Sequence, residues 1–188
     1  RLVDQKGIAE IFAPTYGSIY QICTDMKVQF AILGSGESWC ENEICALQSK
    51  LPNLRAYIGY DDALSHLIEA GSDFFLMPSK YEPCGLNQIY SMLYGTLPIV
   101  RKTGGLADTV DNYNQQTGEG TGFVFEQLPP RAIYDTVGWA VWAYYNKKDH
   151  IKKMQQAGMK KTFGWDEAAE KYVQVYKEAW ERGCGIRK

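Results

Sequence analysis

Short apolar runs alternate with polar turns and amphipathic segments along most of the chain. An apolar run of this length, closed by a turn, is typical of a buried strand, and each run here is followed by a segment with helical periodicity. We therefore predict a doubly wound α/β domain over residues 1–188, with a parallel sheet of about six strands and extra helices at its carboxyl end. The predicted strands cover residues 2–3, 28–33, 54–58, 74–77, 97–100 and 122–125.

The helical segments are bounded by recognisable start and stop residues. Pro14 and Gly17 predict a break after the first helix, Asp61 is suited to cap a helix amino end, and Pro130 fits a first helical turn. Residues 112–121 are polar and rich in glycine and amides, and they predict a mobile surface loop. The Trp and Met residues of the last helices are predicted to pack on the sheet; they are Trp139, Trp142, Met154, Met159, Trp165 and Trp180.

Residues 73–111 hold two strand–turn–helix units in succession. The first turn carries Lys80, Glu82, Cys84 and Gly85, and the second carries the sequence TGG at residues 103–105. Both turns follow a strand and therefore lie at the carboxyl edge of the predicted sheet. Ligands bind at that edge in parallel α/β folds, so this stretch is the first candidate for a site.

Composition narrows the function classes. The net charge of −2 and the pI near 5.8 do not favour nucleic acid or anionic membrane as a partner. No apolar run approaches the roughly 18 residues of a spanning helix. The cysteines are odd in number and irregularly spaced, which argues against a disulfide framework and favours a reducing compartment. With only His66 and His150 available, we expect no metal site.

Two cations flank the turn after the first predicted strand. Arg1 and Lys6 are suited to clamp a diphosphate at the carboxyl end of that strand, and the alternative is that both are solvated surface charges. The GSG sequence at residues 34–36 resembles half of a phosphate-binding loop. It lacks the third glycine at Rossmann spacing, so a tight strand-to-helix turn is the alternative.

The other candidates also allow a structural interpretation. Glu82 is placed to accept hydrogen bonds from a sugar, or it simply stabilises a helix start. Cys84 alone is interpreted as a small buried side chain. The TGG turn is either a second anion nest or a plain loop. Tyr60 follows a strand end and is either a stacking partner for a base or sugar or a packing residue.

Three sequence blocks carry a strong family resemblance. The sequence EPCGLNQ at residues 82–88, then YGTLPIV at 94–100 and TGGLADTV at 103–110, closely resembles the bacterial and plastid glycogen/starch synthases. The opening RLVDQKG is similar to the motif at the start of that family's second domain. The resemblance extends over essentially the whole chain.

The resemblance implies the GT-B fold, in which two Rossmann-like domains face each other across a cleft. This chain would be the carboxyl-terminal domain, which holds the sugar nucleotide. Such enzymes transfer glucose from ADP-glucose, with retention and without a metal or other cofactor, to the non-reducing end of an α-1,4-glucan, and release ADP. It also implies a bacterial cytoplasm, or the plastid stroma if the protein comes from a plant.

The resemblance also assigns roles to individual residues. Arg1 and Lys6 would neutralise the leaving diphosphate, and Glu82 would orient the glucose hydroxyls. The remaining positions would line the nucleotide-sugar pocket. Tyr60 would lie by the adenine, the backbone at Cys84, Gly85 and Leu86 would face sugar and phosphate, and Thr103, Gly104, Gly105 and Leu106 would complete the wall. Tyr90 departs from the pattern, because many related transferases carry a second acidic residue there.

The chain opens on Arg1 rather than Met, at what resembles a strand end, so we expect it to be part of a longer protein. The resemblance places the glucan acceptor on an amino-terminal domain that these residues do not include. We therefore expect the chain to fold alone and bind ADP weakly without elongating glucan. Two alternatives stay open: a retaining GT-B transferase that uses UDP-glucose or another acceptor, and a non-catalytic nucleotide-binding or glucan-associated module.

Overall fold

The computed structural model describes residues 1–185. Within this range the chain forms five strands and nine α-helices, preceded by a 3-10 turn at Asp4–Lys6. The strands are β1 Phe30–Gly34, β2 Leu54–Ile58, β3 Phe74–Met77, β4 Leu97–Arg101 and β5 Phe123–Phe125. The helices are α1 Ile8–Phe12, α2 Ile19–Asp25, α3 Ser38–Lys50, α4 Asp62–Gly71, α5 Asn87–Tyr94, α6 Gly104–Thr109, α7 Pro130–Asn146, α8 Lys148–Lys160 and α9 Trp165–Gly185.

The strands form two parallel sheets that the opening segment joins. β1 pairs with β2, and β4 lies between β3 and β5. Leu2 makes a parallel bridge to Gly36 just beyond β1, and the amide of Lys80, just beyond β3, donates to the Gln5 carbonyl at 2.8 Å. The predicted α/β fold with parallel strands is confirmed. The first predicted strand, residues 2–3, is reduced to the single bridge at Leu2.

The helix boundaries follow the signals in the sequence. α1 ends at Phe12, before Pro14, and α2 begins only at Ile19, so the predicted break is confirmed. The Asp61 carboxylate accepts a hydrogen bond from the Leu64 amide at 2.9 Å and caps α4 as predicted. Side-chain caps of this kind satisfy backbone donors that the first helical turn leaves unpaired.

Two clusters of buried side chains hold the layers together. The larger one runs from Leu2 in the opening segment to Met154 in α8, with α7 contributing Ile133, Val137 and Ala140. The smaller one comprises Met77, Met92, Val100, Leu106 and Val110. It links β3, β4, α5 and α6, which are the elements that carry the two predicted ligand turns. Burial of these side chains therefore fixes the positions of both turns.

The last helices differ from the prediction that their Trp and Met side chains pack on the sheet. Met154 is fully buried and Trp139 packs edge-on against Phe123, as expected. The prediction is wrong for the remaining four residues, which are 39 to 77% exposed. They are Trp142, Met159, Trp165 and Trp180. The amphipathic pattern of α9 resembles that of a core helix, but in the described part of the chain its apolar face meets no sheet.

The segment 112–121 is a surface loop, as predicted, and hydrogen bonds and one aromatic side chain tie it to the domain. The Thr121 and Gly122 amides donate to the Asp111 carbonyl at 2.9 and 3.2 Å. Tyr113 is 3% exposed, packs against Phe123, and its hydroxyl contacts Nδ1 of His150 at 2.8 Å. The one aromatic residue of the segment therefore anchors it in the core.

Four cysteine thiols are free among the described side chains. Cys23 and Cys40 are buried, and burial raises the pKa of each thiol to about 11. Cys45 and Cys84 are exposed. The side chain of Cys184 lies outside what the structure describes.

Candidate active site

The opening segment lies across the carboxyl end of β3. The Gln5 side-chain amide donates to the Tyr81 carbonyl at 3.0 Å, and the Gln5 carbonyl accepts from the Lys80 amide. These two bonds hold the 3-10 turn Asp4–Lys6 against the segment that follows β3. Lys6 and Glu82, which lie far apart in sequence, are thereby brought to the same edge of the sheet.

Lys6 and Glu82 form the centre of the site. The Lys6 ammonium contacts Oε2 of Glu82, and the Ser79 hydroxyl donates to the same oxygen at 3.3 Å. Glu82 is only 7% exposed, while the Lys6 side chain keeps 31% of its surface accessible. A buried carboxylate is stable only with such partners. The pair places one fixed carboxylate and one cation side by side, with the cation facing the solvent.

Arg1 lies near this pair. The pKa of its amino group is lowered, first by burial and then by the charge of Lys6. Arg1 is exposed in the described part of the chain. The Arg1 backbone therefore lies close to Lys6, and the diphosphate clamp formed by the two side chains stays a prediction.

Lys80 supports the turn that carries Lys6. Its ammonium pairs with Asp4 at 2.6 Å and with Glu10 at 3.4 Å. The hydrogen bond to Asp4 is the main cause of its raised pKa. Arg101 at the end of β4 donates to the Lys80 carbonyl at 2.5 Å. The charge of Lys80 is thus engaged in holding the opening segment in place.

The turn from Glu82 to Leu86 exposes backbone donors. Gly85 has a φ of 73°, a conformation that residues with a Cβ rarely adopt, and Leu86 is in the αR region. Successive left- and right-handed residues make a concave nest of N–H groups. In the described part of the chain the Gly85 and Leu86 amides donate to no protein acceptor. Cys84 is exposed, so its interpretation as a buried side chain is wrong.

The TGG turn packs directly on the first turn, backbone against backbone. The Gly105 amide donates to the Glu82 carbonyl at 3.0 Å. A Cβ at Gly105 would overlap the Cys84 carbonyl oxygen, and one at Gly104 would overlap the carbonyl oxygen of Glu82. The two glycines are therefore needed for close approach of the two loops.

This packing changes two of the predictions for residues 103–106. Leu106 is fully buried in the smaller core cluster, so its side chain is excluded from the predicted pocket wall. The amides of Gly105 and Leu106 donate to Glu82 and Thr103 at 3.0 and 3.1 Å, so neither is available for an anion. Thr103 and Gly104 remain the accessible positions of this loop.

Tyr60 and the GSG turn lie farther along the same sheet edge. Tyr60 is 86% exposed, so its interpretation as a packing residue is wrong. Its hydroxyl lies 3.4 Å from Asp62, and it does not contact the Glu82 turn among the described contacts. The Gly36 amide donates to the Glu41 carboxylate at 2.8 Å, and Ser35 accepts from Leu2. These bonds support the alternative of a tight turn at residues 34–36.

Sequence reasoning missed Gln88 and Thr109. Gln88 is 0% exposed, and its side-chain amide reaches the carbonyls of Cys84 and Gly85 and the Thr109 hydroxyl. Both residues belong to sequence blocks that carry the resemblance, Gln88 to EPCGLNQ and Thr109 to TGGLADTV. Membership of these blocks is the one sequence feature that could have indicated a role for them, because glutamine and threonine are common in many structural settings.

His66 is exposed and lies outside this network. Its ring packs on Tyr90 and its Nδ1 lies 3.3 Å from the Tyr94 hydroxyl. Within residues 1–185, no group of three or more His, Cys, Asp or Glu side chains is arranged to hold a metal ion. None of the helices in that range combines the length and apolar character needed to cross a membrane.

The contact between the two loops is testable by adding one methyl group. We expect Gly105→Ala to lower the free energy of unfolding by about 1–3 kcal/mol, because its Cβ meets the Cys84 carbonyl. Gly71→Ala is the matched control, since nothing lies within 4 Å of a Cβ at the end of α4. It should be neutral or stabilising by up to about 1 kcal/mol. Urea unfolding measures both, and equal effects would contradict the packing described.

Comparison with known proteins places this geometry in a family. A profile of the glycosyl transferases group 1 matches residues 1–158. The chain is 70% identical to glycogen synthase of Treponema denticola over 186 residues, which is 99% of the chain and 38% of that protein. It is 46% identical to glycogen synthase 1 of Geobacter metallireducens, with 98% of the chain and 36% of that protein covered. The chain thus spans little more than a third of these relatives.

Solved structures agree on the fold. The catalytic domain of starch synthase IV from Arabidopsis thaliana, bound to ADP and acarbose, superposes with a TM-score of 0.82 at 32% identity, covering 95% of this chain and 36% of that one. Sucrose-phosphate synthase from Thermosynechococcus elongatus shares the fold at 20% identity, with a TM-score of 0.65 and coverage of 97% and 44%. The expected Rossmann-like GT-B architecture is confirmed. The chain belongs to the group 1 glycosyl transferase family.

Proposed function

We propose that this chain is the donor-binding domain of a retaining glucosyltransferase, a glycogen or starch synthase. The full enzyme would transfer glucose from ADP-glucose to the non-reducing end of an α-1,4-glucan. The 70% identity to a glycogen synthase and the likeness to a starch synthase bound to ADP support this assignment. The bacterial relatives favour the bacterial cytoplasm as the compartment, with the plastid stroma as the counterpart in a plant.

The observation that carries the proposal is the contact between Lys6 and the buried Glu82 beside an open nest of amides. A glycosyl–phosphate bond breaks with positive charge developing on the sugar and negative charge on the leaving diphosphate. The site has a group for each: a fixed carboxylate on one side and fixed donors on the other. Groups already held in place stabilise such charge without reorganising as it develops.

The diphosphate is assigned to the cations and the nest. The Lys6 ammonium and the Arg1 guanidinium would neutralise the charge of the leaving ADP. The amides of Gly85 and Leu86, beside the exposed Cys84, would donate to phosphate or sugar oxygens. The accessible backbone at Thr103 and Gly104 would extend this wall.

Glu82 is assigned to the glucose hydroxyls. Its Oε2 is occupied by Lys6 and Ser79. Those two contacts hold the carboxylate in one orientation and leave its other oxygen to accept from the sugar. Tyr60 is assigned to the adenine, on which its exposed ring is free to pack.

The acceptor side of the reaction is assigned to the rest of the protein. The proposed reaction needs ADP-glucose as its donor and releases ADP, and no cofactor is assigned to it. Lys6 and Arg1 would neutralise the negative charge of the diphosphate. The 188-residue chain alone is therefore expected to bind ADP weakly and to leave glucan unextended. An incorporation assay with labelled ADP-glucose measures this, and glucose transfer by the chain alone would contradict the division of the site.

Nucleotide preference separates this proposal from its alternatives. For the full-length protein, titration calorimetry should give tighter binding of ADP than of UDP. Lys6→Met should raise the Kd for ADP about tenfold or more, because it removes a charge-assisted contact to the diphosphate.

Lys153→Met is the control for that measurement. Lys153 lies on α8 and donates to the Thr117 carbonyl at 3.0 Å, outside the assigned site, so its replacement should leave the Kd unchanged. Preference for UDP would favour another GT-B transferase, and absence of nucleotide binding would favour a non-catalytic module. An unchanged Kd in Lys6→Met would show that Lys6 does not contact the diphosphate.

A further inference from the structure

Gln88 is a fully buried polar side chain at the start of α5. Its side-chain nitrogen lies 3.1 Å from the Cys84 carbonyl oxygen and 3.0 Å from that of Gly85. Its Oε1 has no hydrogen-bond partner among the described residues. Turning the amide around would place Oε1 against two carbonyl oxygens, so the donors must face the turn.

The same nitrogen links the turn to α6. It lies 3.2 Å from the Thr109 hydroxyl, which donates to the Gly105 carbonyl at 2.6 Å. The Gly105 amide in turn donates to the Glu82 carbonyl. The hydrogen bonds therefore form a closed circuit that joins both ends of the Glu82 turn to one helix.

This circuit sets the direction of two peptide planes. In a trans peptide the C=O and the following N–H are coplanar and point opposite ways. Because the carbonyls of Cys84 and Gly85 point to the buried Gln88, the N–H groups of Gly85 and Leu86 must point away from it. Those are the two amides without an acceptor in the described part of the chain.

The circuit leaves Oε1 of Gln88 buried without a hydrogen-bond partner in the described part of the chain, which lowers the stability of the fold. A buried acceptor left without a partner typically destabilises a protein by about 1–3 kcal/mol. An apolar side chain at position 88 would avoid that cost, but it would leave the two carbonyls free to rotate. The geometry is therefore better explained by orientation of the turn than by stability.

We propose that Gln88 and Thr109 are positioning residues that aim the Gly85 and Leu86 amides at the diphosphate. Neither side chain touches the ligand. Thr109 acts through Gln88, since its hydroxyl receives one of the amide protons and keeps the Gln88 nitrogen directed at the turn. This inference rests on the proposed function, which supplies the diphosphate.

Thr109 gives the cleaner test, because replacing the fully buried Gln88 risks unfolding. Thr109→Val keeps the shape and removes the hydroxyl, while Thr109→Ser restores it. Thr136→Val in α7 is the matched control. Thr136 also donates to a carbonyl four residues earlier, that of Ala132 at 2.7 Å, but it lies outside the circuit.

Two measurements on the full-length protein decide the matter. Thr109→Val should raise the Kd for ADP roughly three- to tenfold, the range expected for loss of one hydrogen bond, and Thr109→Ser should restore it. Thr136→Val should lose stability without changing the Kd. Hydrogen exchange of the Gln88 side-chain amide, followed by NMR without ligand, should be slow in the wild type and faster only in Thr109→Val.

The outcomes separate this inference from the proposed function. A wild type that binds no ADP overturns the proposed function and, with it, the positioning role, even if the Gln88 amide is protected. A wild type that binds ADP, with equal Kd in Thr109→Val and Thr136→Val, overturns the positioning role alone. A Gln88 amide that exchanges freely in the wild type overturns the circuit itself.

Discussion

The carboxylate of Glu82 is buried, and the cation that balances it comes from a turn 76 residues earlier in the chain. A buried charge without a partner costs several kcal/mol, so the Glu82 turn and the Lys6 turn must adopt their positions together. The bonds of Gln5 to Lys80 and Tyr81 serve the same end. This one requirement joins the opening segment to β3 and so holds the two sheets at a common edge.

The second constraint is the contact between the two glycine-containing loops. The Gly105 backbone packs directly against the backbone of Glu82 and Cys84, and this contact fixes the position of the first turn. Gln88 donates to the carbonyls of Cys84 and Gly85, and Thr109 donates to that of Gly105. Among the described residues, the surface proposed to face the ligand is therefore left with free amides and with the two cations assigned to the diphosphate, Lys6 and Arg1. The Gly105 amide and the carbonyls of Glu82, Cys84 and Gly85 are thus paired within the protein, away from the ligand.

Local sequence patterns predict the features of the fold that depend on residues close together in the chain. The strand positions, the break at Pro14 and the cap at Asp61 follow from periodicity and backbone preferences, and the structure confirms them. The family resemblance and the positions at strand ends predict Lys6 and Glu82 as site residues, and the fold brings the two together. What a single sequence does not show is which amides and side chains are taken by distant partners.

Several residues of the structure illustrate this limit. Leu106 follows two loop glycines but fills the space between β3, β4 and α5. The amide of Gly36 is bonded to Glu41, which favours the tight turn over the phosphate-binding loop at residues 34–36. Tyr113 enters the core although it lies in a segment that is otherwise polar. Each outcome depends on a contact between residues that sequence periodicity does not relate.

The most direct test of the account follows the backbone amides during a titration with ADP. In NMR spectra of isotope-labelled full-length protein, the signals of Gly85 and Leu86 should shift together with that of Lys6 and saturate at one ADP concentration. The signal of Gly36, whose amide is already bonded, should stay in place. Large shifts at residues 34–36 with unchanged signals at Gly85 and Leu86 would contradict the assignment of the diphosphate to the Glu82 turn.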